Sequence, residues 1–197
     1  MNEDPDTIVL KKGGHKGPEY GTCFLERVSV DAGLPFSDRP ETVSPILRSI
    51  GIALNDNLAD DERQQLIQYI KPVQGTAGDG KDPVRQMILL DFNVRTAAPM
   101  ILDALEVLPE ISTLLKGLDP IVDRASFEAA QAAFAPVRDQ VEQVRKKAWD
   151  DYYAKLNSLD LDLDLDLDLD RALALDLALR RELLALYPRL IDPEVEL

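Results

Sequence analysis

The sequence predicts an all-α protein, and three observations carry that prediction. Proline follows a capping residue at helix-starting positions, as in Ser44-Pro45 and Asp82-Pro83. Apolar residues recur at helical spacing, as in Ile46, Leu47, Ile50, Ala53 and Leu54. Outside one tract, no stretch longer than a few residues alternates in polarity or is rich in β-branched side chains. The expected architecture is a compact multi-helix domain followed by long C-terminal helices that include a Leu-Asp low-complexity tract. Residues 1–7 read as a mobile N-terminus and 8–118 as the helical core domain. Residues 119–190 read as a long helical hairpin or extension, with the tract at 159–170, and 191–197 as a tail.

Taken in order, MNEDPDT is charged and has nothing to bury. The stretch GGHKGPEYG is a loop, because glycine and proline interrupt it almost continuously. A first helix is expected from about Tyr20 to Ala32, with Cys23 among its apolar positions, closed by Gly33 and Pro35. Ser44-Pro45 opens the second, which Asn55-Asp56-Asn57 ends. The third, from about Asp60 to Ile70, begins with acids that complement the helix dipole and stops before Pro72. QGTAGDGK is a loop. Asp82-Pro83 starts a long apolar segment that Pro99 must kink or divide. Leu108-Pro109, Gly117 and Asp119-Pro120 punctuate shorter pieces, and Ser126 is expected to cap an amphipathic run lightly broken at Pro136.

From Leu159 onward, Leu and Asp alternate. Strict alternation is formally a strand pattern, but both residues are poor strand formers, and aligned carboxylates on one face repel. The strongly helix-forming flanks favour a helix. Its cost is four Asp pairs at i,i+4, together on the order of 1–2 kcal/mol. A frayed or disordered tract is the next reading, and a strand the last.

Composition narrows function. Lys and Arg number 22 against 36 Asp and Glu in 197 residues, a net charge of −14. This disfavours nucleic-acid binding through phosphates and adsorption to anionic membranes, and suits cations or a basic partner. A single cysteine cannot close an internal disulfide. The N-terminus lacks signal-peptide character, and no run approaches 18 apolar residues, so a cytoplasmic location is expected.

The residues with chemistry concentrate between 12 and 58. His15 and Cys23, the only residues of their kinds, could pair as base and nucleophile, with Asp31 or Asp38 orienting the histidine. A buried structural cysteine is the commoner case. Zinc typically needs four N or S ligands, and one His with one Cys falls short, so no metal or other cofactor is expected. The loop from Gly75 to Lys81 matches GxxxxGK, but Asp82 stands where a Mg²⁺-binding hydroxyl belongs and Pro83 removes an N–H, which favours a structural turn. The Asp tract starts like a calcium loop but has Leu165 where glycine is needed and Arg171 where the bidentate Glu belongs. Weak Ca²⁺ binding there, or imitation of a nucleic acid, stays open.

The segments LKKGGHKGPEYGTCFLERVSVDAGLPFSDRPETVSPIL, ALNDNL and YIKPVQGTAGDGKDPVRQMILLDFNVRTAAPM resemble an uncharacterised family of bacterial, notably actinobacterial, and phage proteins. Its members are similar to GxHxxPEEGMCVMEAVAYIAGEPFSDHPxCVSPVI, followed by SWND, LVGTxGD and DWLVRExAP. The matching positions include His15, Pro18, Glu19, Cys23, Glu26, Asp38, Ser44, Pro45, Asn55, Asp56, Gly75, Asp79, Asp91, Arg95 and Pro99. The resemblance covers about residues 9–107 and implies no activity. Arg39 and Thr42 stand where the family pattern has His and a second Cys, so a His/Cys metal centre is disfavoured here by the resemblance too.

The function expected is a non-catalytic acidic binding protein that takes a protein partner or self-associates, and the resemblance implies an origin in a phage or other mobile element. An enzyme with a polar site around His15, Glu26, Asp38, Asn55 and Asp56 is the rival. Convergence of those side chains in a pocket, within hydrogen-bond reach, would favour the rival. Bonds to their own loops and helix ends would favour the first.

Overall fold

The computed structural model describes residues 8–143, 146 and 164–193, the last stretch by its backbone alone as far as residue 173. The chain is all-α, and among the described residues the only β feature is an isolated bridge between Leu10 and Thr22. The expectations for residues 1–7, for 147–163 with the start of the Leu-Asp tract, and for the last four residues lie outside the described residues. The helices are α1 (Phe24–Asp31), α2 (Pro45–Asn57), α3 (Asp60–Arg63), α4 (Asp82–Phe92), α5 (Ala98–Ala104), α6 (Pro109–Lys116), α7 (Arg124–Phe134) and α8 (Asp164–Ile191). The Asp164–Asp170 part of the tract is helical backbone, as its flanks suggested.

Two helix starts and the form of one helix differ from expectation, each for a local reason. The first helix begins not near Tyr20 but at Phe24. Pro18–Tyr20 forms a separate 3₁₀ turn, and Gly21 at φ +115° breaks the path between them. The third is α-helical only over Asp60–Arg63 and tightens to 3₁₀ over Gln64–Tyr69. Ser126 is not the cap of α7. Asp123 holds that position, accepting the Ser126 N–H at 2.8 Å, while the Ser126 hydroxyl serves the Asp123 N–H in return.

Packing divides the chain into two compact units, residues 1–86 with 180–197, and residues 87–179. The sequence grouping at 8–118 followed punctuation, whereas these units follow contacts, and the C-terminal segment belongs to the first.

The core of the first unit joins α1, α2 and the C-terminal part of α8. Phe24, Leu25, Val28, Leu47, Leu54 and Leu66 are fully buried together with Tyr187 and Leu190. The Tyr187 ring meets Phe24 and Tyr69 edge-on, at centroid distances of 6.1 and 5.5 Å, and its hydroxyl donates to the Leu47 carbonyl at 3.0 Å. A side chain at residue 51 would collide here: a Cβ on Gly51 would stand 3.0 Å from the Phe24 ring and 3.1 Å from the Tyr187 oxygen. Glycine is therefore what lets α2 approach both rings.

Arg85 closes the same unit. Its side chain is 0% exposed, and its Nη atoms reach Asp79 at 2.5 and 2.8 Å and Asp82 at 2.8 Å. Nε donates to the Leu190 carbonyl at 2.8 Å and Nη2 to that of Ile191 at 3.2 Å. A guanidinium is tolerated here because its donors find acceptors, two of which are the carbonyls that the end of α8 leaves open. The bonds from Arg85 hold the Asp79 carboxyl below its ordinary range, against a smaller opposing effect of burial.

In the second unit, Pro99 divides the apolar segment as anticipated, through a widened turn rather than a sharp kink. Proline has no N–H to offer the carbonyl four residues back. The backbone over Asn93–Ala97 adopts a π-helical register, with the Ala98 N–H donating to the Asn93 carbonyl. Asp91 pairs with Arg95 at 3.1 Å and accepts the Ile121 N–H at 2.8 Å, which ties the segment before α7 to α4. The turn before α6 puts Glu106 (φ 55°) and Leu108 (φ 50°) in the left-handed region, a costly conformation for side-chain-bearing residues.

Candidate functional site

The glycine loop has no regular hydrogen bonding of its own, so each polar group on it must be satisfied from outside. Gln64 supplies both sides of Leu10, accepting its N–H at 2.8 Å and donating to its carbonyl at 3.0 Å. The Lys11 N–H donates to the Thr22 carbonyl at 2.9 Å. Its carbonyl accepts from Asn55 Nδ2 at 3.0 Å. Gly13, at φ +78°, donates its N–H to Asp56 Oδ1 at 2.9 Å. The left-handed turn at Gly13 aims the chain back at α1.

At the start of α1 the first turn has unpaired N–H groups, and the candidate residues fill them. Cys23 is the N-cap, and its Sγ accepts the Glu26 N–H at 3.4 Å. Glu26 returns the bond, its Oε2 accepting the Cys23 N–H at 2.8 Å, so a thiol takes the place usually held by a hydroxyl in a capping box. Asn55, buried in α2, accepts the Phe24 N–H at 3.0 Å. Cys23 is thus buried, at 5% exposure, but as a cap and not on an apolar face within the helix.

Glu26 is the centre of the cluster and is 3% exposed. Its Oε1 accepts the His15 N–H at 2.6 Å, and its Oε2 faces His15 Nδ1 at 2.7 Å. Burial alone would push this carboxyl up. The bonds from Cys23 and His15 outweigh burial and hold it below 4.5, ionised. Burial pushes the neighbouring Cys23 thiol up to about 12, so it is protonated at neutral pH.

Five of the six candidates, His15, Cys23, Glu26, Asn55 and Asp56, therefore converge through a bonded network. Asp38 joins Gly13, Gly14, Cys23, Gly51, Asn55 and Asp56 in lining a cleft beside it. The cleft holds only about 20 Å³, room for one water molecule. The acceptor that a general base would use is already spent on two backbone N–H groups and an imidazole, and the one thiol is not a thiolate. Among the described residues, no group of three or more His, Cys, Asp or Glu is arranged to hold a metal ion.

The GxxxxGK loop is a turn in the structure, with Gly75, Gly78 and Gly80 all at positive φ. Thr76 is buried and bridges the Ser44 N–H and the Val73 carbonyl, at 3.0 and 2.7 Å. Asp79 is committed to Arg85, and Lys81 to Asp192 at 2.5 Å. Ser44 caps α2 as expected, accepting the Ile46 N–H at 3.2 Å, and also donates to Asp82 at 2.6 Å.

Sequence reasoning missed a second site, in the unit of residues 87–179. A cavity of about 360 Å³ is lined by Asn93, Val94, Ala98, Ile101, Leu102, Ile111, Leu115, Phe127, Ala130, Gln131, Phe134 and Val141. None of these side chains is titratable. The break at Pro99 was the available signal, since the π turn it induces supplies two of the lining residues. Compared with protein-family models, with curated proteins and with solved structures, the chain finds no match.

Proposed function

We propose that this chain is a non-catalytic acidic binding protein, a member of the bacterial and phage family its motifs resemble. One observation carries the reading: the place with chemistry has no room, and the place with room has no chemistry. The His15–Glu26 cluster leaves space for a single water, while the 360 Å³ cavity is walled by apolar and amide side chains. The net charge of −14 favours a neutral or basic partner over an anionic one. A protein partner or a second copy of the chain is the corresponding binding expectation, with a location in the cytoplasm. No helix among the described residues is long and apolar enough to cross a membrane.

The test compares affinity capture from cell extract and native mass for the wild-type chain, Ala98→Trp and His15→Ala. Binding that is lost when the cavity is filled and kept when His15 is removed supports the reading. Binding or turnover that follows His15 instead overturns it, as does a strictly monomeric chain that captures nothing above background.

A further inference from the structure

The cavity of the second unit is a bounded space and not a flat face. The π turn and α5 form one side, α6 and α7 the others, and Val141 closes an end. Ile111, Leu115 and Ala130 are buried in its floor, and Val94, Ala98, Leu102, Phe127 and Phe134 are half-buried in its walls. Only Asn93, Ile101 and Gln131 are exposed, which places two neutral amides at the mouth. Among the described residues, neither of those amide side chains has a hydrogen-bond partner. A closed apolar cavity of about 150 Å³ already takes a benzene ring. A volume of about 360 Å³ therefore suits a molecule of roughly two rings.

Resting on the binding-protein reading above, we propose that this cavity is the binding site of a neutral, apolar small molecule of about two rings, with one hydrogen-bonding group held by Asn93 or Gln131 at the mouth. Charge decides against an anionic amphiphile. No lining residue is cationic, and the chain as a whole is strongly acidic. Within the cavity a cation finds no partner either, because the walls hold no carboxylate. Phe127 and Phe134 are among the lining residues, and aromatic rings pair favourably with an aromatic guest. The π-helical register at Asn93–Ala97 lies at the rim, where such turns commonly mark ligand sites.

The experiment titrates the full chain with N-phenyl-1-naphthylamine, a neutral two-ring fluorescent probe, and follows the methyl resonances of Ile101, Ile111 and Leu115. The expected result is saturable binding at one site with shifts confined to those methyls. Affinity should fall at least tenfold in Ala98→Phe and in Ala130→Leu, and stay unchanged in Tyr20→Ala, which alters an exposed ring of the first unit. Leu115→Ala, which enlarges the cavity, keeps the test open should the filled variants not fold, and should shift preference toward a bulkier three-ring neutral probe. Absence of saturable binding overturns the proposal, as does binding that ignores both filling and enlargement. Contacts showing the cavity already filled by another segment of this chain overturn it too. If the probe fails while Ala98→Trp still abolishes capture of a protein partner, the small-molecule inference falls and the binding-protein reading stands.

Discussion

The loop-and-cap cluster around Glu26 and the cavity behind Asn93 are opposite solutions to building an interior. Around Glu26 the backbone is irregular, so buried N–H groups are plentiful and every nearby polar side chain is recruited to them. An unpaired buried donor costs about 1–3 kcal/mol, so such recruitment leaves little polar capacity over. Around the cavity the backbone is helical and satisfies itself. Nothing there requires polar side chains, and helices meeting around a proline-induced bulge leave space that aliphatic and aromatic walls do not fill. Clustered polar side chains in this molecule therefore mark where irregular backbone is satisfied, and the unfilled volume lies where the backbone satisfies itself.

The contrast breaks if the Glu26 cluster proves dispensable for folding. Glu26→Ala should cost about 3 kcal/mol in chemical denaturation, because it orphans the N–H groups of His15 and Cys23. A variant of wild-type stability would return Glu26 to the pool of catalytic candidates. The same residue sets an acid dependence. Its carboxyl lies lower in the folded chain than its ordinary 4.5, so its stabilising contribution is full above that value. It is lost as pH falls through the folded value. In Glu26→Gln that component of the acid transition should disappear, leaving those carried by Asp79, Asp103 and Asp123, whose carboxyls are also lowered.

Asn55→Ala should cost about 2 kcal/mol, since it removes the acceptor of the Phe24 N–H and the donor to the Lys11 carbonyl. Native-state hydrogen exchange should show the loss at the Phe24 amide; a protected amide in the variant would count against this role. The smallest effect is expected at the thiol. Cys23→Ala should cost about 1 kcal/mol, the usual worth of an N-cap. With its pKa near 12 against an ordinary 9.0, native Cys23 should be alkylated about a thousandfold more slowly than a free thiol at neutral pH. Rapid labelling of the folded chain would contradict the thiol state described here.

Much of the fold was legible because helix starts are local chemistry. Ser44-Pro45 caps α2 as its spacing indicates, and Pro99 divides the fourth apolar segment. The two misplaced starts have different origins: Gly21 at positive φ separates the Pro18–Tyr20 turn from α1, whereas at α7 Asp123 and Ser126 lie within one turn and the chain's route selects Asp123 as the cap. The candidate cluster was legible as a set of residues and not as a role. His15 and Glu26 are eleven apart, but Asn55 meets Phe24 across 31 positions and Gln64 meets Leu10 across 54.

By itself, the sequence determined the all-α class, the acidic charge, most helix boundaries and the structural nature of the glycine loops. Each depends on capping, periodicity or composition within a few residues. Tertiary structure alone decided that Arg85 is buried against the last turn of α8, 105 residues away, and that Glu26 spends its oxygens on its own loop and helix. It alone decided, too, that α5, α6 and α7 meet without filling the space between them. These are outcomes of packing between segments distant in sequence, where volumes and unpaired donors must be settled together, and no local pattern carries that information.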